Sequence, residues 1–237
     1  ASLGSTRVEF HPGAIKAGKY KYAIGSAGST MLVFQTILPA LLRANTESEL
    51  VFEGGTHNMA APSFDFIAKS FVPVLKQMHM DIEVSLERFG FYPNGGGRWR
   101  ASIVPARETA PLTLRERGGL VARKAIAKSS RIPSHVTERE LSYIKRKLQW
   151  ADHELEQALV DSFGQGNIVS LQVQFEALTE VFDAVGALGL SAERVAGNSV
   201  KDFKRYMKSA AVVGEHLCDQ LLLPMALGSG GVFRTLK

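Results

Sequence analysis

The sequence predicts an α/β fold in which short strands and helices alternate in two successive units. Segments whose hydrophobic residues recur every second position, typical of strands, alternate with segments of helical period. Glycine-rich turns stand at the edges of these segments. The chain has 237 residues, 45% of them hydrophobic and 22% charged, so it can bury one large core or two smaller ones.

The first hundred residues predict the order β-α-β-α-β-β. Residues 20–24 and 49–53 are expected strands. The nearly all-apolar segment 29–44 between them is an expected buried helix, which Pro39 should kink. A second amphipathic helix is expected over residues 63–78. The apolar residues of the next two strands alternate with polar ones: Ile82, Val84 and Leu86, then Trp99, Ala101 and Ile103.

A second unit is expected after the polar stretch 105–111, which contains two prolines and is a plausible domain crossing. Its predicted order is β-α-β-β-α. The expected elements are a strand at 120–127, a helix opened by a capping box at 137–140, strands at 169–175 and 181–185, and an amphipathic helix at 192–207. A long apolar helix is expected over 211–227.

Composition and charge narrow the class of protein only slightly. The 28 Lys and Arg residues exceed the 23 Asp and Glu residues, giving a net charge of +5 that suits a polyanionic partner but does not require one. The single Cys218 cannot form an internal disulfide, and no Cys/His spacing indicates structural zinc. No signal peptide or apolar stretch of membrane length is visible, so we expect a cytoplasmic protein that does not bind membranes.

Four glycine-rich stretches are candidate ligand loops, at residues 25–29, 54–56, 90–97 and 163–167. Glycine permits positive φ and brings backbone N–H groups close to a ligand, an arrangement that holds phosphates. For any one loop taken singly, turn formation alone is the more common explanation. The candidate phosphate or RNA residues in the first two loops are Gly25, Ser26, Gly28, Gly54, Gly55 and Thr56.

Four motifs in chain order resemble the RNA 3′-terminal phosphate cyclase family, of the bacterial type. They are AIGSAGS at 23–29, GGT at 54–56 with Ala61-Pro62, GFYP at 90–93 with GGG at 95–97, and DQL at 219–221 with PMAL at 224–227. The resemblance implies a large domain of repeated units, each a four-stranded sheet with two helices, and a smaller inserted α/β domain with thioredoxin-like topology. Residues 1–115 and 211–237 would form the large domain, and residues 116–210 the insert.

The resemblance implies an ATP-dependent enzyme that converts RNA 3′-phosphate ends to 2′,3′-cyclic phosphates. In such enzymes ATP adenylates a histidine, AMP passes to the RNA 3′-phosphate, and the neighbouring 2′-hydroxyl displaces AMP. A divalent metal, Mg²⁺ or Mn²⁺, would help to stabilise the phosphate charge, with ligands that the resemblance does not identify. The expected partners are therefore RNA 3′-phosphate ends.

The resemblance also implies which residues bind the nucleotide: Gln35, His216, Leu217, Cys218, Asp219 and Gln220. His216 stands where relatives usually carry an aromatic ring against adenine, and imidazole stacks more weakly. The histidine nucleophile would follow Lys237, and the glycine-rich start of family members would precede Ala1. The sequence is thus expected to be cut at both ends and to be inactive as a fragment.

Two alternative functions stay open. A cyclase-like protein would keep the fold and serve ribosomal RNA processing without cyclase activity. A carboxyvinyl transferase would share a similar repeat architecture but bind a small anionic substrate without ATP. A histidine in the strand after Lys237 would favour the cyclase over the cyclase-like protein.

Weaker signals have both structural and functional explanations. The basic residues 145–147 and Lys201, Lys204, Arg205 and Lys208 could grip RNA phosphates, although solvated helix faces have the same composition. Phe91 and Tyr92 could stack on a terminal base or simply pack a hairpin. His57 stands where relatives often carry Asp or Asn, so a polar role for it is doubtful.

Overall fold

The structure, a computed structural model, describes Ser2 and residues 4–236. Its first unit contains a four-stranded sheet in the order β1-β2-β4-β3. The strands are β1 (Lys19–Ala23), β2 (Ser48–Gly54), β3 (Ile82–Arg88) and β4 (Gly97–Ile103). β1 pairs parallel with β2, and the other two pairings are antiparallel. The mixed α/β fold and the predicted order β-α-β-α-β-β are confirmed.

Helix α1 (Thr30–Leu41) connects β1 to β2 and carries Pro39 inside its last turn. The Ser29 side chain caps it by accepting a hydrogen bond from the Leu32 N–H at 3.4 Å. The expectation of a helix buried on all sides is only partly right. Phe34 is fully buried, whereas the Leu32 residue is 48% exposed, because one side of α1 faces a cavity described below.

The helix expected over 63–78 is confirmed, but it is not a regular α-helix. It consists of α2 (Phe64–Phe66), a π-helical turn (Ile67–Phe71) and α3 (Val72–Gln77). Pro73, in the first turn of α3, has no N–H to donate to the carbonyl four residues earlier. A π-helical turn directly before it accommodates that missing bond, which hydrophobic periodicity does not reveal.

The second unit contains a four-stranded sheet in the order β7-β6-β8-β9. Its elements are β6 (Leu120–Ser130), α4 (Ser134–Leu148), β7 (Leu155–Leu159), β8 (Gly166–Phe175), β9 (Thr179–Val185) and α5 (Ala192–Lys208). The expected order lacked β7, an edge strand that pairs parallel with β6. The sequence of β7, LEQAL, has no β-branched or aromatic residue, so it gave no strand signal.

Two expected helix starts are wrong. α4 begins at Ser134 rather than at the capping box, and Thr137 instead donates its hydroxyl to the Ser134 carbonyl within the first turn. α6 (Glu215–Leu227) begins after Gly214 rather than at Ala211. The residues before Gly214 are extended because Val212 and Val213 donate backbone hydrogen bonds to the Arg234 carbonyl.

A third, two-stranded sheet joins β5 (Leu112–Leu114) to β10 (Gly231–Phe233) in parallel. The two larger sheets each have a hydrophobic cluster, and β9 contributes to both: Val181 packs in the first and Ala184 in the second. The region where β9 packs against the first unit forms one wall of the cavity described next. In the described part of the chain, no helix is long and apolar enough to cross a membrane. The expected domain boundaries stay a prediction.

Candidate functional site

A cavity of about 500 Å³ opens between the two units. It is lined by α1, the loop before α2, β9, α5 and α6, so both units contribute to its walls. Cavities of this size between packed units are typical sites for small organic ligands. Among the described residues, its lining includes Asp183 and Asp219 but no lysine or arginine.

Helix α6 brings three of the expected nucleotide-binding residues to the cavity: His216, Asp219 and Gln220. Leu217 lies between them in sequence but is fully buried in the first hydrophobic cluster, and Cys218 is half-buried against the same cluster. The helical period explains the division, because Asp219 and Gln220 lie three and four positions after His216 on its side of the helix, whereas Leu217 shares the opposite, buried side with Leu221. Residues 216–220 therefore present some side chains to the cavity and others to the hydrophobic core.

Gln35, the sixth residue expected to bind the nucleotide, does not line the cavity. Its side chain is hydrogen-bonded to Gln220, which does line it. Its Nε2 donates a hydrogen bond to Oε1 of Gln220. The Gln220 amide in turn donates to Oδ2 of Asp219 at 3.3 Å. These bonds fix which way the Gln220 amide points. The structure thus joins Gln35 to the α6 residues through an oriented chain of side chains.

The loop before α2 forms the wall opposite and contacts both the first glycine loop and the second unit. Asn58 donates its Nδ2 to the Ala27 carbonyl at 2.5 Å. Ser63 caps α2 by accepting a hydrogen bond from the Phe66 N–H at 3.0 Å, and it donates its own hydroxyl to Oδ2 of Asp183 on β9. Ser63 and Asp183 both line the cavity, so this bond closes the seam between the units at the site.

Behind this wall lies a buried polar network that the sequence did not indicate. The fully buried ring of His57 has Nδ1 2.8 Å from Oγ1 of Thr56 and Nε2 3.1 Å from Oδ2 of Asp65. The Lys128 ammonium, from β6, pairs with the same carboxylate oxygen. Thr56 also accepts a hydrogen bond from the Gly90 N–H at 2.9 Å, and because a carboxylate only accepts, His57 donates its Nε2–H to Asp65.

His57 therefore has the polar role that seemed doubtful from the sequence. It is also packed against the Phe89 ring, with 4.7 Å between ring centroids. Its network joins the loop after β2 to α2 and to β6 of the second unit. No local pattern could have revealed it, because Asp65 and Lys128 are 63 positions apart in the chain.

The charge of Asp65 in this network affects the pKa of Asp183, which lines the cavity. Burial alone would raise the pKa of Asp65, but the hydrogen bond from His57 and the charge of Lys128 lower it well below its usual range. Asp65 is thus ionised. The pKa of Asp183 is raised, first by burial and then by the negative charge of Asp65.

Most of the glycines in the predicted loops serve close packing. A side chain at Gly55 would collide with the Ala27 carbonyl, and one at Gly90 with the Gly54 carbonyl. Thr56 is fully buried and uses its hydroxyl within the network. The second glycine loop therefore has no side chain free for a phosphate.

The first glycine loop is more open. Gly25 has φ of +73° and its missing side chain would meet nothing within 4 Å. Ser26 is exposed and accepts a hydrogen bond from the Gly28 N–H at 3.2 Å. This loop leads directly into the N-terminus of α1, where the helix dipole favours anions. Of the expected phosphate loops, it is the one with backbone accessible to a ligand.

Of the remaining residues that could contact RNA, some are buried or ion-paired and others are exposed. Phe91 is 1% exposed and packs on Gly166, whereas Tyr92 is 77% exposed. Among the basic residues of the helices, Lys145 pairs with Asp152 at 2.5 Å and Arg205 pairs with Glu215. Tyr92 is therefore the ring of the two that is available to stack on a base.

No group of three or more His, Cys, Asp or Glu side chains in the described part of the chain is arranged to hold a metal ion. Mg²⁺ is usually held by one or two carboxylates together with substrate phosphates. The cavity carboxylate of Asp219 fits that minimal requirement, whereas a site built entirely from protein ligands does not exist among these residues.

Comparisons with known proteins give the same family that the sequence motifs resemble. The family model described as RNA 3′-terminal phosphate cyclase matches residues 1–237. Proteins named RNA 3′-terminal phosphate cyclase from Pseudomonas fluorescens, Koribacter versatilis and Salmonella typhimurium are 47%, 43% and 46% identical to this chain. These matches cover 99%, 100% and 99% of this chain and 69%, 67% and 69% of the relatives.

The relatives' names favour the cyclases over the carboxyvinyl transferases that the sequence left open. The family model matches the whole chain, and the level of identity is well above what a shared fold alone would require. The chain belongs to the RNA 3′-terminal phosphate cyclase family.

Proposed function

We propose that this protein contributes to the ATP-dependent cyclisation of RNA 3′-phosphate ends and that its cavity binds the nucleoside part of ATP. The observation that carries the proposal is the convergence of His216, Asp219 and Gln220 on one cavity of about 500 Å³. The family resemblance implies these residues independently of where they lie in the fold. Their shared surface is large enough for a base and a ribose.

The charge of the cavity decides which part of ATP enters it. Two aspartates and no lysine or arginine line the described walls, so triphosphate oxygens would be repelled there. Leu32, in the first turn of α1, lines the cavity, and the exposed loop around Gly25 precedes that turn. The nucleoside therefore occupies the cavity, while the phosphates extend toward the N-terminus of α1.

Each lining residue has a defined task in this arrangement. The His216 ring stacks on the base, although more weakly than a larger aromatic ring would. Asp219 accepts a hydrogen bond from a ribose hydroxyl, and Gln220 is oriented for the nucleotide by its bond from Gln35. A divalent metal bound with the phosphates would neutralise part of their charge.

The chemistry that ATP supplies is activation of a poor electrophile. A histidine nitrogen attacks the α-phosphorus and pyrophosphate leaves; a 3′-phosphate oxygen of RNA then attacks that phosphorus and the histidine leaves. The neighbouring 2′-hydroxyl finally attacks the 3′-phosphorus, and AMP leaves as the cyclic phosphate forms. Binding the nucleoside between two packed units holds the activated phosphate in place through these steps.

Isothermal titration calorimetry of the protein with ATP tests the site. Asp219→Ala should weaken ATP binding by about 10- to 100-fold, the cost of one hydrogen bond to a charged group. Asp81→Ala removes an exposed carboxylate outside the cavity and is the matched control, which should bind ATP as the parent does. Equal affinity of the parent and Asp219→Ala would show that the nucleotide binds elsewhere.

A further inference from the structure

The turn between β3 and β4, residues 89–96, carries an exposed aromatic ring. Tyr92 is 77% exposed, whereas its neighbour Phe91 is buried and accepts a backbone hydrogen bond from the Gly95 N–H at 2.7 Å. The ring therefore stands on a turn that is held in place. A single exposed ring is common on protein surfaces, so the residues around Tyr92 decide whether it has a role.

The turn is in contact with two other segments of the chain. A side chain at Gly95 would collide with the backbone of Ser26 and Ala27, and one at Gly96 would collide with the ring of Phe163. The turn is thus packed against the first glycine loop and against the loop between β7 and β8. Tyr92 belongs to a surface that continues from the loop proposed for the ATP phosphates to the second unit.

Two guanidinium groups on this surface are oriented by backbone carbonyls. The Cζ atom of Arg88 lies 3.9 Å from the centroid of the Phe163 ring, and its Nε donates to the Gly96 carbonyl at 2.7 Å. Arg131 donates its Nε to the Ser162 carbonyl at 3.2 Å. Among the described residues neither guanidinium forms an ion pair, so their Nη groups are available to an anion.

The local charge suits a polyanion. Asp161 is the acidic residue of the loop between β7 and β8, so the two arginines leave this surface with a net positive charge. Glu87 is paired with Arg98 and Arg100 and is thus already neutralised. Proteins hold single-stranded RNA with this combination, because an exposed ring stacks on a base and guanidinium groups contact phosphates.

Resting on the proposed function, we propose that this surface binds the single-stranded RNA that leads to the 3′-phosphate end. Tyr92 stacks on a base among the nucleotides just before the terminal one, and Arg88 contacts a phosphate of the same strand. The reacting 3′-phosphate must meet the ATP phosphates near the loop around Gly25, and the turn that carries Tyr92 is packed against that loop. Stacking tolerates every base, so the surface accepts RNA ends of any sequence.

A purely structural role is the competing explanation. The Phe89 N–H donates to the Asp161 carbonyl at 3.0 Å, so the same segments also fasten the two units together. In that case Arg88 and Phe163 would contribute only to packing, and Tyr92 would be a solvated ring. RNA affinity would then not depend on the ring or on the guanidinium charge.

Fluorescence anisotropy of a 5′-labelled single-stranded RNA with a 3′-phosphate separates these roles. Tyr92→Ala should weaken binding about 5- to 150-fold, the range for one base stack, and leave the salt dependence unchanged. Tyr92→Phe keeps the ring and should bind as the parent does. Arg88→Ala should weaken binding and reduce the slope of log K against log salt concentration by about 0.7, the value for one phosphate contact on a single strand. Arg107→Ala removes an exposed arginine beyond the opposite end of β4 and is the matched control, which should keep the parent's affinity.

RNA with abasic sites at the three nucleotides before the terminal one tests the stack without any variant. Wild-type protein should bind this strand more weakly than the intact one, and Tyr92→Ala should bind the two alike. Equal wild-type affinity for both strands, or no wild-type binding of the intact strand, would overturn the inference. Parental affinity in Tyr92→Ala, or a parental salt slope in Arg88→Ala, with folding checked by circular dichroism, would assign these residues the structural role.

Calorimetric titration with ATP distinguishes failure of this inference from failure of the proposed function. ATP binding that Asp219→Ala weakens would support the proposed nucleotide site even if the RNA results overturned the surface around Tyr92. If wild-type protein bound no ATP, the proposed function would fail, whatever the RNA measurements gave.

Discussion

We expect the wild-type protein to become less stable as the pH rises because of Glu180, and we expect Glu180→Gln to remove that part of the pH dependence. Glu180 lies on β9, is 2% exposed, and accepts a hydrogen bond from the Gly214 N–H at 2.6 Å. Gly214 is the N-cap of α6, so this bond anchors the helix that carries His216 and Asp219. Burial raises the pKa of Glu180 to about 7, against the lowering effects of the Gly214 N–H and Arg117.

The sign and size of the effect follow from linkage. The carboxyl is protonated in the folded state up to a pKa of about 7, whereas its ordinary value is 4.5. Between these pH values the folded state binds more protons, so the free energy of unfolding falls as the pH rises and then levels off above 7. A difference of about 2.5 pKa units corresponds to about 3 kcal/mol. Glutamine can still accept the Gly214 hydrogen bond but does not titrate.

Urea denaturation of both proteins at pH 4.5 and pH 8 measures this effect. The wild-type free energy of unfolding should fall by about 3 kcal/mol more than that of Glu180→Gln between the two pH values. Other titrating groups are common to both proteins and cancel in the comparison. An equal pH dependence in the two proteins would refute the assignment of a raised pKa to Glu180.

Three further predictions concern the ring, the RNA end and the buried ion pair. His216→Phe should keep or tighten ATP binding in calorimetry, since a larger ring stacks better; a loss of affinity would show that imidazole does something other than stack. RNA ending in 2′-deoxyribose 3′-phosphate should be adenylylated but not cyclised by the active enzyme, and a cyclic product on a gel would exclude the proposed third step. Lys128→Ala should lower the free energy of unfolding by about 3–5 kcal/mol, because the Asp65 charge is left buried with only the His57 hydrogen bond and without the lysine charge. Lys124→Ala, which breaks the exposed pair with Glu156, should cost less than about 1 kcal/mol, and similar losses in both variants would contradict this account of the network.

The parts of the fold that were predictable from the sequence depend on local periodicity. β4 shows strict alternation, with Trp99, Ala101 and Ile103 buried, and the expected strand was found. β7 was missed because an edge strand needs fewer buried side chains and LEQAL alternates weakly. The start of α4 was misplaced because Thr137 fits a capping pattern, whereas three residues before it already adopt the helical conformation.

The candidate site was predictable only where a motif is contiguous. The segment from His216 to Gln220 was recognised as a unit, but its sequence could not show that Leu217 turns into the core. Contacts between distant segments gave no signal at all. Ser63 and Asp183 are 120 positions apart, and their hydrogen bond forms only when β9 packs against the helix that follows β2. The sequence therefore indicated one wall of the cavity, and the fold supplies the other.

A crystal structure of the protein with a non-hydrolysable ATP analogue would test the central claim most directly. The account predicts the adenine ring inside the cavity, beside His216, with the ribose within hydrogen-bond distance of Asp219 and the phosphates directed toward the loop around Gly25. A nucleotide bound on another surface, with the cavity between the two units left empty, would contradict it.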